Sequence, residues 1–338
     1  MRRILQSAML LAGASLGSGS AKAVDPCPTL RMQAASANTA TRIAAVACNE
    51  NLLWYRPFID TDGRMAGATV AEGETSLLAD GATPAWQRVA GYWRDSGLLP
   101  RMAGYAGAGQ CASGIATGDT SPWCRAFIID HPWSAAFVSY VMAKAGVPGF
   151  HPSAAHFDYV RDARRFPAAS AYLYQDPAVA APAAGDLLCA VRGGQSRGNA
   201  GLSAAIDAGV GAINMHCDVV VAVEQGGGTA YLVGGNVQQG VTMRLLSVNR
   251  LGRFWSLPQS SSIDQKCSPD SAKSCNLNRQ DWAVLLKLKP AAELAQLPHF
   301  VAPMPATLVA PKQAAQCCVN CVLGEPIPRC PIPEATNP

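Results

Sequence analysis

The stretch HPWSAAFVSYVMAKAGVP, residues 131–148, decides the fold that we expect for this chain. Its apolar residues recur at helical spacing from about Pro132 to Ala145, and the Gly-Val-Pro that follows ends the helix in the usual order. On a 3.6-residue period, Ser134 lies in the first turn, on the face that must be buried. The sequence therefore predicts a hydroxyl at a helix N-terminus, where free amides favour developing negative charge.

A near copy of this motif, ten positions earlier, carries a thiol. Residues 122–127 read PWCRAF and residues 132–137 read PWSAAF, so Cys124 stands where Ser134 stands. We expect the first copy to lack a helix of its own, because RAFIID is short and ends at His131. Cys124 is equally explained by a disulfide to Cys111, and Ser134 by helix capping.

After Gly185 the apolar pattern changes to a period of two, which predicts an antiparallel sheet. We expect strands at GDLLCAVR (185–192), HCDVVVAVE (216–224), TAYLVGG (229–235), GVTMRLLSV (240–248) and DWAVLLKLK (281–289). In the second strand His216 and Asp218 share one face, whereas Cys217 belongs to the wholly apolar face. Cys217 could bridge to Cys189 on the neighbouring strand.

These elements suggest a nucleophile, a base and an orienting group. Folding the hairpin about Gly227 brings Asn236 close to Asp218, so either residue could hold one imidazole nitrogen of His216 and free the other for a proton. A second candidate base is His156, which opens a short helix in HPSAAHFDYV. Each histidine could equally have a purely structural role.

The order PWSAAFVSYVMAKAGVP, AAGDLLCAVR, HCDVVVAVE and LVGGNV resembles the CHAP and NlpC-type branch of the papain-like fold. It is most similar to an uncharacterised bacterial domain family allied to that branch, which shares the PWSAAF form and the upstream RVAGYWRDSG. The resemblance covers about residues 42–256. It implies an α+β fold in which a helix packs on an antiparallel sheet.

The resemblance also implies peptidoglycan amidase or endopeptidase chemistry on a cell-wall peptide or glycan. It assigns the nucleophile to Ser134, the base to His216 and the orienting group to Asn236, with Asp218 and His156 as weaker candidates. The branch ordinarily has cysteine at the position of Ser134. A hydroxyl must lose its proton to the base during attack, so an inactive cell-wall-binding module of the same fold is the alternative function.

The remaining segments suggest export and four regions. Residues 1–23 read as a signal peptide, 24–105 as a mainly helical region, 106–256 as the hydrolase domain, and 257–338 as an irregular Cys/Pro-rich extension. In the helical region we expect helices in TRIAAVACNENLLW (41–54) and PAWQRVAGYWRDSG (84–97), the latter ending at Gly97. We expect a periplasmic or secreted protein with no membrane-spanning segment after signal cleavage.

Twelve cysteines in an exported chain favour disulfides. The C-x-x-C at Cys318 and Cys321, with Cys317 and Cys330 nearby, could bind zinc, although two disulfides are the preferred interpretation. We otherwise expect no cofactor and no metal. The formal charge of +4 includes two signal arginines, and no basic run with aromatics points to nucleic acid.

Overall fold

The computed structural model describes residues 25–117, 121–193, 197–260 and 267–299. The proposed signal peptide and the Cys317–Cys330 cluster lie outside these ranges. Within them the fold is α+β, as predicted, with a helical N-terminal region and one eight-stranded sheet. No helix of the described ranges has the length and apolar character needed to cross a membrane.

The helices are α1 (Cys27–Leu30), α2 (Thr39–Leu53), α3 (Ala85–Asp95), α4 (Ala108–Thr117), α5 (Pro122–Asp130), α6 (Ser134–Lys144), α7 (His156–Arg165), α8 (Gly198–Asp207) and α9 (Ala291–Leu294). Short 3₁₀ turns cover Arg31–Gln33, Leu99–Met102 and Pro269–Ser274. Gly97 follows α3 with φ +74° and Gly146 follows α6 with φ +62°, so each ends its helix as predicted.

The strands are β1 (Phe58–Ile59), β2 (Met65–Ala66), β3 (Tyr172–Gln175), β4 (Leu187–Val191), β5 (Met215–Val223), β6 (Gly228–Val237), β7 (Gly240–Val248) and β8 (Asp281–Leu288). Their order in the sheet is β2-β1-β7-β6-β5-β4-β8-β3. All neighbours are antiparallel except β1 and β7, which are parallel.

The N-terminal region and the C-terminal strand both belong to this sheet. β1 extends it beyond β7, and the sequence pattern predicted no strand there. β8, which we had assigned to the C-terminal extension, pairs with β4 and β3 in the sheet's interior. β1 and β8 therefore belong to the same hydrogen-bonded sheet as the strands between residues 106 and 256.

Both faces of the sheet are covered. One face packs against α2 and α6, and its core includes Phe137, Val141 and Val219, all fully buried. The opposite face buries Leu188, Val220 and Leu232 beneath a loop that contributes Phe254. His216 and Asp218 begin a strand that is therefore buried on both sides, which explains why polar atoms there need partners within the protein.

Four disulfides join described residues: Cys27–Cys48, Cys111–Cys124, Cys189–Cys217 and Cys267–Cys275. The second and third are the pairs that the sequence suggested. Cys189 lies directly opposite Cys217 in the register of β4 and β5. Such bridges are compatible with an extracellular or periplasmic protein.

Candidate functional site

Ser134 is the first residue of α6 and is only 7% exposed. The first hydrogen bond of the helix runs from Phe137 N–H to Trp133 C=O at 2.8 Å, so the amides of residues 134–136 have no partner within the helix. The Oγ atom of Ser134 lies 2.7 Å from Nε2 of His156. A buried hydroxyl, an imidazole and the positive end of a helix dipole therefore meet at one point.

His156 opens α7 and is 4% exposed. Its other ring nitrogen, Nδ1, contacts the hydroxyl of Tyr159 in the first turn of the same helix. The approach of α7 to α6 is set by Ser139, whose Oγ donates to Ser153 C=O at 3.0 Å and accepts from Ser153 N–H at 3.1 Å. This contact places His156 beside Ser134.

His216 lies in a second polar group beside the first. Its ring centroid is 5.3 Å from that of His156, with 63° between the ring planes. Its Nε2 lies 2.8 Å from Oδ1 of Asp218, and Arg244 Nε donates to Oδ2 of the same carboxylate at 2.8 Å. Arg244 is held in turn by Leu277 C=O at 2.7 Å and Asn278 Oδ1 at 2.8 Å.

The charges in this group fix the tautomer of His216. Burial alone would raise the pKa of Asp218, but the adjacent His216 and Arg244 outweigh it and hold that pKa well below its usual range. Asp218 is therefore ionised, and Nε2 of His216 carries the proton that it accepts. The lone pair is on Nδ1, which is buried and has no hydrogen-bond partner among the described residues.

Both histidines are neutral at neutral pH. Burial lowers the pKa of His156 well below its ordinary value, and the neighbouring His216 and Arg192 lower it further. Burial likewise lowers the pKa of His216, with Arg192 and Arg244 adding to the effect and Asp218 opposing it. Neutral imidazoles can accept protons, which is what a base in this position requires.

Asn236 lies elsewhere. With its carboxamide oriented to suit its neighbours, Nδ2 donates to Glu72 Oε2 at 3.1 Å and Oδ1 accepts from Trp133 N–H at 3.2 Å. Trp133 Nε1 also donates to Glu72 Oε2, at 2.6 Å. Asn236 thus fixes the residue before Ser134 and does not orient His216.

The expected position of Asn236 opposite Asp218 differs from the observed register for a definable reason. A bulge between Val220 and Ala222 shifts the β5–β6 register, so Gly234, two residues before Asn236, faces Asp218. Asp218, the weaker candidate, is the residue that holds His216, and His156 is the one that contacts Ser134.

The expectation that the first motif copy lacks a helix is wrong. Residues 122–130 form α5, whose N-cap Ser121 accepts from Cys124 N–H at 3.4 Å. Cys124 is fully buried and bonded to Cys111. A disulfide sulfur has no thiolate to offer, so between the two copies only Ser134 retains a free nucleophilic atom.

Three participants were missed by sequence reasoning: Tyr159, Arg244 and Glu72. The position of Tyr159 three residues after His156, on one helix face, is a usable signal. Arg244 was detectable only as a charge inside the apolar strand GVTMRLLSV. Glu72 comes from an irregular segment, and nothing local in the sequence indicates its partner.

The chain belongs to a family described as an uncharacterized protein conserved in bacteria (DUF2272), whose model matches residues 80–288, more than half of the chain. This agrees with the uncharacterised bacterial family expected from the sequence. No curated protein and no solved structure matches the chain.

Proposed function

We propose that this member of the family is an exported hydrolase that cleaves amide bonds, with Ser134 as the nucleophile. The observation that supports the proposal is the 2.7 Å contact between Ser134 Oγ and His156 Nε2 at the start of α6. A nucleophile in hydrogen-bonding reach of a base, with that base held by a third group, is the arrangement common to covalent hydrolases. Tyr159 is that third group for His156.

In the proposed reaction Ser134 Oγ attacks the carbonyl carbon while its proton passes to Nε2 of His156. The oxyanion forms near the unpartnered amides of the first turn of α6, which stabilise it. The tetrahedral intermediate collapses when His156 returns the proton to the leaving amine. Water then attacks the acyl-enzyme by the same route and releases the acid. This cycle requires Nδ1–H of His156 to donate to the oxygen of Tyr159.

His156 replaces His216 as the proposed base because it is the imidazole in contact with Ser134. His216 has a different part in the proposal. It holds the Asp218 carboxylate, whose negative charge raises the pKa of His156 and so favours the imidazolium that forms during attack. This assignment gives Asp218 an electrostatic role at one remove from the reacting atoms.

The substrate class rests on the resemblance to CHAP and NlpC-type proteins together with the disulfides compatible with an exported chain. Both support a peptide of the bacterial cell wall. The papain-like assignment of the fold is part of the same proposal. It is supported by α6, which begins at Ser134 and packs on an antiparallel sheet, and by β5, which carries His216 close to its start.

The test is to incubate purified mature protein with peptidoglycan and to measure released amines. Ser134→Ala should reduce release by a factor of 10² or more, roughly the contribution of the nucleophile and its base in such sites. Ser96→Ala is the matched control, because Ser96 is also buried and its hydroxyl donates to Trp93 C=O, away from the site. Unchanged release by Ser134→Ala would refute the proposal.

The two histidines are separated by His156→Gln and His216→Gln. We expect His156→Gln to abolish release and His216→Gln to reduce it less. If His216→Gln abolishes release while His156→Gln keeps it, the base is His216, and the contact of His156 with Ser134 is structural.

The burial of Ser134 and of both histidines favours one alternative, a cell-wall-binding module without activity. In that case the polar group would stabilise the fold around a groove that holds glycan or peptide. Binding of peptidoglycan by the wild-type protein, without release of amines and unaffected by Ser134→Ala, would support the module over the hydrolase.

A further inference from the structure

Arg192 follows β4 immediately and is exposed to solvent. Its N–H donates to Asn214 C=O at 2.8 Å, so the pairing of β4 with β5 continues to this residue. Ala190, two residues earlier on β4, lies directly opposite His216. Alternation along a strand places Arg192 and Ala190 on the same face, which is the face that carries His216.

The guanidinium of Arg192 has no hydrogen bond or ion pair with any described residue. The carboxylate of the site, Asp218, is already bonded to both His216 and Arg244. Counting Asp218 as −1 and the two arginines as +1 each, with neutral histidines, leaves a net charge of +1. Because Arg244 is paired with Asp218, the remaining positive charge is that of the exposed Arg192.

We propose that Arg192 binds a carboxylate of the substrate, which makes the substrate an acidic peptide. This inference rests on the proposed function, because it names the substrate class of the same site. A guanidinium presents paired N–H donors that match the two oxygens of a carboxylate, and such charge-assisted pairs are among the stronger hydrogen bonds in proteins.

Carboxylate binding would also act on the base. Besides burial, the positive charge of Arg192 lowers the pKa of His156 and His216. A carboxylate on Arg192 offsets that charge, so the pKa of each histidine rises and each becomes a stronger proton acceptor. The groups that face the two imidazoles are Ser134, Tyr159, Arg192, Asp218 and Arg244.

The first experiment measures binding in Ser134→Ala, so that no substrate is consumed. The probes are a short peptide containing glutamate and the same peptide with glutamine. Calorimetry should show about tenfold tighter binding of the glutamate peptide, the size expected for one charged hydrogen-bonded pair. Adding Arg192→Gln should remove the difference, whereas Arg192→Lys should keep part of it.

Arg197→Gln is the matched control, since Arg197 is an exposed arginine five positions further along that precedes α8. It should leave the preference unchanged. Thermal unfolding of each variant establishes that it is folded. An equal preference for the glutamate peptide in Arg192→Gln and in its parent would overturn the inference.

A second measurement is an NMR titration of the histidines in Ser134→Ala. The glutamate peptide should raise the pKa of His216 and the glutamine peptide should not, and Arg192→Gln should abolish the shift. An Arg192-dependent preference without amide cleavage by the wild-type protein would support the carboxylate site and refute only the hydrolase. Cleavage of both peptides at equal kcat/KM would leave the hydrolase standing and overturn the role of Arg192.

Discussion

The carboxylate of Asp218 occupies the space that a side chain at position 234 would need. A Cβ atom added to Gly234 would lie 1.9 Å from Oδ1 of Asp218. The neighbouring Gly235 has the same relation to α6, because its Cβ would lie 2.4 Å from Cβ of Phe137. Gly234 therefore leaves space for the Asp218 carboxylate on one face of the sheet, and Gly235 leaves space for α6 on the other face.

Replacing Gly234 with alanine should lower the free energy of unfolding by about 3 kcal/mol, because Asp218 must leave His216 or the strand must shift. Chemical denaturation measures this change. Gly211→Ala is the control, since an added Cβ there meets no atom within 4 Å. Equal midpoints for the two variants would contradict the observed packing.

Arg244→Met should cost about 3–5 kcal/mol, because it leaves the buried carboxylate of Asp218 without its cation. The side chain of Arg244 is 4% exposed and that of Asp218 is 1% exposed. Arg164→Met, which breaks the exposed pair with Asp207, should change the unfolding midpoint little. A small effect of Arg244→Met would show that Asp218 is not dependent on this partner.

Asn236 has a φ of +55°, which glycine adopts without strain. Asn236→Gly should therefore lose only the carboxamide contacts with Glu72 and Trp133, at a cost of about 2 kcal/mol. Asn236→Ala should lose about 1 kcal/mol more, because alanine resists the left-handed backbone. Urea unfolding of the two variants provides the comparison, and equal stabilities would argue against the backbone term.

Stability should fall as the pH falls from 7.5 to 5.5. The pKa values of His156 and His216 are lower in the folded protein than the value of about 6.5 for an unfolded histidine, so below that pH the unfolded chain binds more protons. Asp218, whose pKa is also depressed, keeps its contribution until the pH falls below about 3.9, the value for an unfolded aspartate.

Urea midpoints at the two pH values measure this dependence. His156→Gln should be less stable at both, but with a smaller difference between them. His151→Gln, which removes an exposed histidine, is the control. A pH dependence in His156→Gln as large as that of the wild-type protein would contradict a buried neutral His156.

Removing the Cys189–Cys217 bridge by a double alanine substitution should lower stability by about 2–4 kcal/mol. Removing Cys267–Cys275 should cost about 1 kcal/mol less, because it closes a separation of 8 residues rather than 28. Thermal unfolding under non-reducing conditions compares the two variants, and a larger loss for the shorter loop would contradict this account.

The features that the sequence predicted are those with a strong local signal. α6 follows from its apolar period and its glycine stop, and the bridge of Cys189 to Cys217 follows from strand alternation. α8 was missed because glycine and small residues give GNAGLSAAID little helical pattern. β3 was missed because its four residues are too few to show a period.

The contacts of the site depended on information that no local pattern contains. The register between Asp218 and β6 depends on a one-residue bulge. The contact of His156 with Ser134 depends on the hydrogen bonds between Ser139 and Ser153, two residues that are 14 positions apart in the sequence. The residue types therefore identify both histidines as candidate bases, but they do not show which of the two contacts Ser134.

The minimal folding unit extends upstream of the segment by which the family is recognised. Three features that precede residue 80 contact the part that follows it. β1 pairs with β7, Glu50 forms an ion pair with Arg88, and Glu72 accepts a hydrogen bond from Trp133. A protein shortened to residues 80–288 would lack β1, so the edge of β7 would be exposed and open to aggregation. It would also lack Glu50, so the guanidinium of Arg88 would lose its counter-ion. Expression of the recognised segment alone is therefore expected to yield insoluble material, whatever its chemistry.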